Sequence, residues 1–126
     1  MHAPSVYTPL RRRADFRRLH GQGQRKSDVR LQVRVLRRPD NPPWAAPIRL
    51  GILVTKKYGP AVERNRFKRL VRTAIRALAP ELAPGWDILV LPRAARDAKM
   101  QDVLASLSAV LAALGVLRPH QDGGSA

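Results

Sequence analysis

Two apolar segments with one amphipathic segment between them occupy the middle of the chain. Residues 48–57 and 86–91 are apolar over most of their length, which is typical of strands inside a sheet. Between them, apolar side chains recur every three or four positions over residues 67–78, the period of a helix with one buried face. Pro60 suits the start of that helix, and Pro80 stops it. The sequence therefore predicts a strand, a helix and a strand that share one core.

The flanking segments complete an α+β pattern. A short helix is predicted over residues 12–20, and residues 29–35 alternate apolar with polar side chains, as a half-buried strand does. A short extra strand is expected near Arg25. The last helix is predicted over residues 98–114, with one apolar stripe. The expected fold is a small α+β sandwich of order α-β-β(-β)-α-β-α, in which helices pack on a mixed sheet.

The same pattern sets the expected organisation of the chain. Residues 1–11 are predicted to be a flexible basic arm, and residues 118–126 a disordered tail. Residues 12–117 are expected to form a single domain. The proline-rich segment 39–47 is predicted to be an exposed loop between strands.

Charge and composition narrow the class of protein. The 126 residues carry 24 Lys and Arg against 9 Asp and Glu, a net charge of +15, which favours a polyanionic partner. The absence of cysteine excludes disulfide scaffolds and thiolate metal sites. No apolar signal core and no run of about 20 apolar residues is present, so neither secretion nor a membrane partner is expected. A cytoplasmic protein is the simplest interpretation.

The predicted central helix has a cationic side opposite its apolar stripe. No acidic residue occurs over residues 64–79, whereas a face that serves only solubility usually mixes both signs. A row of guanidinium groups along a helix is suited to gripping several phosphates, although a solvated face remains the alternative. Asn65 lies near the middle of this face and has three interpretations. It could cap the helix, bond to RNA or help hold a metal-bound water.

The order of residues around this helix resembles a known family. Val54-Thr55-Lys56-Lys57, then Gly59, Ala61-Val62, Arg64-Asn65-Arg66, Lys68-Arg69 and Arg72 are similar to the signature of the bacterial ribonuclease P protein subunit. Arg13-Ala14-Asp15-Phe16 is similar to the start of that family's first helix. The resemblance spans about residues 11–114 and also fits the length, the charge and the strand order.

That resemblance implies a function. In the family, the protein binds a catalytic RNA, and the two remove the 5′ leader of precursor tRNA in a reaction that depends on Mg²⁺ held mainly by the RNA. The expected partners are therefore the catalytic RNA and precursor tRNA, with no obligate protein partner, and the chain alone is not expected to be catalytic. The family's fold also implies a left-handed β-α-β crossover around the basic helix, the opposite of the usual rule.

Site residues follow from the matched positions and from the charged faces. The residues expected to contact the catalytic RNA are Lys56, Lys57, Arg64, Asn65, Arg66, Lys68, Arg69, Arg72 and Arg76. Those expected to bind the leader are Arg13, Phe16, His20, Arg30 and Arg34. Phe16 could stack on an unpaired base, and core packing is its alternative role. His20 and Arg34 stand where family members often have aromatic residues, so leader binding here is expected to depend more on charge.

Two other classes of function remain as alternatives. A structural RNA-binding module such as a ribosomal protein explains the charge and size, but not the order Lys-Lys, Gly, Arg-Asn-Arg. A metal-dependent nuclease that acts alone would need grouped carboxylates or histidines. The nine acids are scattered, and the histidines lie far apart in the sequence.

Overall fold

The computed structural model describes residues 7–38 and 48–117. It contains a five-stranded mixed sheet, three α-helices and two short 3₁₀ turns, the latter at Lys56–Tyr58 and Ala79–Glu81. The strands are β1 (Tyr7–Pro9), β2 (Gln24–Ser27), β3 (Leu31–Arg37), β4 (Ile48–Ile52) and β5 (Trp86–Pro92). The helices are α1 (Arg13–Gln22), α2 (Ala61–Leu78) and α3 (Met100–Ala113).

The sheet has the strand order β1-β4-β5-β3-β2. Its centre is the parallel pair β4 and β5, which α2 connects, with Ile48 beside Trp86 and Ile52 beside Val90. β3 pairs antiparallel with β5, and β2 follows as one edge strand, while β1 runs parallel to β4 at the other edge. The α+β class, the mixed sheet and the extra strand near Arg25 are thus confirmed. The left-handedness of the crossover stays a prediction from the resemblance.

The two faces of the sheet are covered unequally. On one face, α2 and α3 enclose the main core, in which the apolar residues of β3, β4 and β5 meet Phe67, Val71 and Ile75 of α2 and Leu107 of α3. These four helical side chains are at most 1% exposed. On the opposite face, α1 covers a smaller cluster. The helical periods of α2 and α3 are thereby confirmed, because both apolar stripes are buried.

Several element boundaries differ from the sequence predictions, three of them in ways that matter for the fold. Residues 7–9 of the expected arm form β1, and Leu10 is buried. The predicted strand 48–57 ends at Ile52, because the chain leaves the sheet for a 3₁₀ turn before α2. The predicted strand 29–35 begins two residues later, because the carboxylate of Asp28 accepts hydrogen bonds from the backbone N–H of Arg30 (2.8 Å) and of Leu31 (3.0 Å). This turn leaves Val29 73% exposed.

Residues 1–6 of the predicted arm, the loop over residues 39–47 and the tail over residues 118–126 lie outside the described residues. Among the helices that the structure describes, none is both long and apolar enough to cross a membrane.

Candidate RNA-binding interface

The outer side of α2 presents cations along most of its length. The apolar stripe anchors the helix to the sheet, and this leaves Asn65, Arg69, Arg72 and Arg76 exposed to solvent. None of these arginines forms a salt bridge with an acid in the described ranges 7–38 and 48–117. Unpaired, exposed guanidinium groups keep their donors available for phosphate oxygens.

Arg76 extends this surface to the edge of the sheet. Its guanidinium lies 5.8 Å from the centre of the Tyr7 ring, within the range of a cation–π contact, and Nη2 is 3.4 Å from the Tyr7 hydroxyl. The strand β1 therefore holds one end of the cationic row, an interaction that the sequence patterns did not predict.

Arg66 does not belong to the free cationic side. Its Nη2 donates to the carbonyl oxygen of Ala98 at 2.7 Å, and its Nη1 donates to that of Arg96 at 3.3 Å. Arg66 is half-buried and fastens α2 to the segment after β5. Arg64 is also half-buried. The predicted set of RNA-contacting residues therefore divides into an exposed group and a group that the fold partly uses for itself.

The two lysines lie in a turn and not at the end of a strand. Lys56 and Lys57 are exposed in the 3₁₀ turn, and Gly59 follows with a φ of 157°, a conformation that L side chains rarely adopt. Pro60 then precedes α2, as the sequence predicts. The turn places both exposed lysines beside the start of the helix, so they add positive charge at this end of α2.

Phe16 borders a cleft between α1 and the edge of the sheet. The cavity has a volume of about 300 Å³. Its other lining side chains include Lys68 and Arg72 of α2, together with Ile52 of β4. The structure thus brings together residues that the sequence assigned to two separate RNA contacts. Phe16 is partly buried and packs beside the small cluster of Leu10, Leu19 and Leu89.

The other predicted leader-binding residues are divided between two places. Arg13 and His20 are exposed on α1. Arg34 is a neighbour of His20, because its Nη1 lies 3.4 Å from the His20 carbonyl oxygen. Arg30 lies elsewhere. It donates to Ser106 Oγ at 3.3 Å and lies 3.7 Å from Asp102 on α3, because the turn at Asp28 takes it off the strand. Arg30 is therefore on the α3 side of the sheet, apart from Phe16.

A second cationic cavity lies where β4 and β5 end. Its volume is about 540 Å³, and Arg30, Lys57, Tyr58, Arg93 and Arg96 line it together with the acids Asp97 and Asp102. Burial, followed by the nearby charge of Glu63, raises the pKa of the Tyr58 hydroxyl, which stays a neutral donor at neutral pH. Sequence reasoning did not single out Arg93 and Arg96. The available signal was their position directly after β5, because parallel strands bring their carboxyl ends to one edge.

The residues around Asn65 do not form a protein-only magnesium site. Mg²⁺ needs near-octahedral oxygen ligands, with carboxylates as the usual protein contribution. Asn65 is surrounded on α2 by cations, and the first turn supplies only Glu63 as an acid. No group of three or more His, Cys, Asp or Glu side chains suited to a metal occurs in the part of the chain that the structure describes. No chemical step is therefore assigned to a metal on this chain.

These features define a class of protein. It is a small, strongly basic α+β domain with one cationic helix side, a cleft containing an aromatic ring and a second cationic cavity, a combination typical of nucleic-acid-binding proteins. The family model for ribonuclease P matches residues 7–115. The chain is 39% identical over 103 residues to the ribonuclease P protein component of Herpetosiphon aurantiacus, covering 81% of this chain and 80% of that protein. It is 34% identical to that of Microcystis aeruginosa, covering 95% and 100%.

Solved structures give the same result. The RNase P protein from Staphylococcus aureus superposes with a TM-score of 0.73 at 28% identity, covering 95% of this chain and 98% of that one. The protein from Thermotoga maritima gives a TM-score of 0.69 at 29% identity, covering 84% and 94%. The chain therefore belongs to the ribonuclease P protein family, whose members are protein components of a tRNA-processing endoribonuclease. That holoenzyme is a ribonucleoprotein, so the partner of this subunit is an RNA.

Proposed function

We propose that this protein binds the catalytic RNA of ribonuclease P and the 5′ leader of precursor tRNA, and that it thereby promotes magnesium-dependent removal of the leader. The observation that carries the proposal is the unpaired cationic side of α2 next to the cleft at Phe16. The two surfaces share Lys68 and Arg72, so one bound leader and one folded RNA could meet there.

The contact with the catalytic RNA rests on the exposed cations. Arg69, Arg72 and Arg76 extend along α2, and Lys56 and Lys57 continue the charge past its first turn. Such a row follows a phosphate backbone without reading its sequence. Asn65, exposed in the middle of the row, would add a neutral donor and acceptor for RNA, which we favour over its capping role because Pro60 occupies the cap position.

The contact with the leader rests on the cleft. A single strand is bound by a cationic groove combined with an aromatic side chain on which a base stacks. Phe16 supplies the ring, and Lys68 and Arg72, which line the same cleft, supply charge. His20 and Arg34 lie close together beside α1, so they would continue the path by charge and hydrogen bonding in place of stacking.

The RNA partner would supply the Mg²⁺ and the reacting groups. The described part of this chain offers no grouped carboxylates for a metal, and its cations suit phosphate better than a divalent ion. The protein would instead hold the leader and neutralise phosphates around the RNA's own site. Its action would take place in the cytoplasm, where precursor tRNA is processed, and would need no further protein.

Reconstituted cleavage tests this proposal. A precursor tRNA with a 5′ leader would be incubated at low Mg²⁺ with the chain alone, with a bacterial ribonuclease P RNA alone, and with both. Efficient cleavage at the mature 5′ end in the combined mixture alone is the expected result. Cleavage by the purified chain alone would reveal a protein active site, and no stimulation of the RNA would contradict the proposal. A precursor with a single-nucleotide leader serves as the control, because it leaves the cleft largely empty.

A further inference from the structure

The small helix α1 is joined to the sheet by a network of buried charges. Asp15 of α1 is 6% exposed and Asp87 of β5 is 1% exposed, and the guanidinium of Arg49 on β4 lies between them. Arg49 donates to Asp87 from Nε at 2.7 Å and from Nη2 at 2.6 Å. It also donates to Asp15 from Nη1 at 3.2 Å and from Nη2 at 3.3 Å. One side chain thus fixes two carboxylates that belong to different elements.

Two further arginines bring the network to three guanidinium groups and two carboxylates. Arg38 Nη1 donates to Asp87 at 2.8 Å, and Arg18 Nη2 donates to Asp15 at 2.8 Å. The hydrogen bond that Arg49 donates to Asp87 is the first cause of the raised pKa of Arg49, which therefore stays charged. Arg18 is 42% exposed on the surface, whereas Arg49 reaches both acids from beneath the helix. Arg18 also lies 4.0 Å from Asp87, but it donates one hydrogen bond, to Asp15, whereas Arg49 donates to both acids. We therefore expect the position of α1 to depend on Arg49 more than on Arg18.

Phe16 follows Asp15 on α1. It packs against Gly51 of β4, which is two residues from Arg49. Side chains at positions i and i+2 of a strand point to the same face, so Arg49 and Gly51 lie together under α1. A Cβ atom on Gly51 would lie 3.1 Å from Cε1 of Phe16 and 3.2 Å from Cδ1 of Leu89. The ring thus lies directly against the backbone of β4. A polar contact and a van der Waals contact, side by side, set the distance between α1 and the sheet.

The apolar contacts of α1 are few. Its cluster contains only Leu10, Leu19 and Leu89 as buried members among the described residues, compared with twenty in the main core. So small a cluster would allow the helix to tilt if it were the only attachment. A tilt of α1 would change the width of the cleft that Phe16 shares with Lys68 and Arg72.

We infer that Arg49 is a positioning residue for leader recognition: by bridging Asp15 and Asp87 it holds α1 at the spacing that lets Phe16 meet a single-stranded RNA. This inference rests on the proposed function of the cleft. Arg49 itself touches no bound RNA in this scheme. Its effect passes through Asp15 to Phe16, so it alters the choice between precursor and mature tRNA and not the grip of α2 on the catalytic RNA.

A double-mutant cycle tests the inference. Asp15→Asn keeps the shape of the side chain but removes its charge, and Arg49→Lys keeps a charge but can no longer bridge both acids with a planar fork. Each is combined with Phe16→Ala. The holoenzyme is reconstituted with each variant, and the affinities for precursor tRNA, for mature tRNA and for the catalytic RNA are measured. Thermal melting confirms that each variant folds, and Arg49→Lys remains available if Asp15→Asn does not.

Each single variant is expected to lower the preference for precursor over mature tRNA by about fivefold, a loss within the range of one weakened base-stacking contact. Affinity for the catalytic RNA should stay within about twofold. In the Phe16→Ala background neither change should reduce the preference further, because residues that act through one contact are not additive. The matched control is Ile88→Val, which weakens the core on the opposite sheet face without touching α1.

Four results would overturn the inference, the last of them through the leader assignment on which it rests. The first is a loss that adds fully to that of Phe16→Ala. The second is an equal loss in Ile88→Val, which would mean that lower stability alone was responsible. The third is an unchanged preference in folded Asp15→Asn and Arg49→Lys while Phe16→Ala lowers it, which would leave the proposed leader site intact. If Phe16→Ala itself has no effect, the leader assignment fails, and the inference with it.

Discussion

Arg69 and Arg72 on α2 and Arg49 beneath α1 carry the same guanidinium group in opposite surroundings. The two α2 residues are exposed, and neither pairs with a carboxylate in the described ranges. Arg49 is bound by two buried aspartates at 2.6–3.3 Å. The acids make the difference, because α2 has none after Glu63, whereas Asp15 of α1 and Asp87 of β5 are buried beside Arg49. In a chain of charge +15, the few acids determine which arginines form ion pairs within the fold.

The largest effect should come from removing the acid that pairs with several arginines. Asp87→Ala removes the buried carboxylate that pairs with both Arg49 and Arg38. Because the two guanidinium groups then lack this counter-ion, the free energy of unfolding should fall by about 3 kcal/mol. Urea unfolding followed by circular dichroism measures the change. A loss below about 1 kcal/mol would show that the bridge contributes little. The arginine beneath α1 would then matter as little to stability as the exposed arginines of α2.

Removing cations from the exposed side of α2 should weaken RNA binding and leave stability nearly unchanged, the reverse of what is expected for Asp87→Ala. Arg69→Ala with Arg72→Ala should weaken binding of the catalytic RNA by at least about tenfold, since charge-assisted contacts to phosphate are lost. The free energy of unfolding should change by less than about 0.5 kcal/mol. The slope of log affinity against log salt should become less steep by about 1.4 for two single-strand contacts. The control is Arg17→Ala with Arg37→Ala, which removes the same charge from exposed positions elsewhere.

A change in the cleft at Phe16 should alter the preference for precursor over mature tRNA. Phe16→Leu keeps an apolar side chain but removes the flat ring, so the preference for precursor over mature tRNA should fall by about fivefold. Affinity for the catalytic RNA should be nearly unchanged. Gel-shift titration of the reconstituted enzyme with both tRNAs measures the ratio. Equal losses for both tRNAs would make Phe16 a packing residue, the alternative that its sequence position leaves open.

The smallest effect is expected for Arg66 of α2, whose guanidinium is hydrogen-bonded within the fold, as that of Arg49 is. Arg66→Ala removes hydrogen bonds to the carbonyls of Ala98 and Arg96 and should cost about 1 kcal/mol of stability. Its effect on RNA affinity should be smaller than that of Arg69→Ala. Thermal melting and RNA titration of the two single variants provide the comparison. A larger RNA effect for Arg66→Ala would place it back on the free cationic side.

The elements with a regular period could be predicted from the sequence. The stripes of α2 and α3 and the alternation of Leu31, Val33 and Val35 record burial directly, because the period of a buried face follows from backbone geometry. The cationic side of α2 follows from the same geometry. The residue order around Arg64 added the family, which the comparisons then confirmed.

What escaped prediction depends on contacts between distant segments. Arg49 lies 34 residues from Asp15 and 38 from Asp87, so no local pattern marks the bridge. Arg66 has the sequence context of an RNA-binding residue, but its partners are carbonyl oxygens 30 and 32 residues away. β1 has only three residues and gains its stability from pairing with β4. Arg30 was displaced by a turn that depends on one side chain, Asp28.

The strand order has a consequence for how this chain is made. β5 lies at the centre of the sheet and pairs with both β3 and β4, yet it is the last of the five strands to be synthesised. On the ribosome, β3 and β4 therefore cannot pair with their shared neighbour until Pro92 has emerged. Pairings so distant along the chain form slowly, since a long loop must close before its contacts stabilise it. During that interval α2 has already left the exit tunnel, beside a ribosome surface rich in the phosphate groups that its arginines would bind.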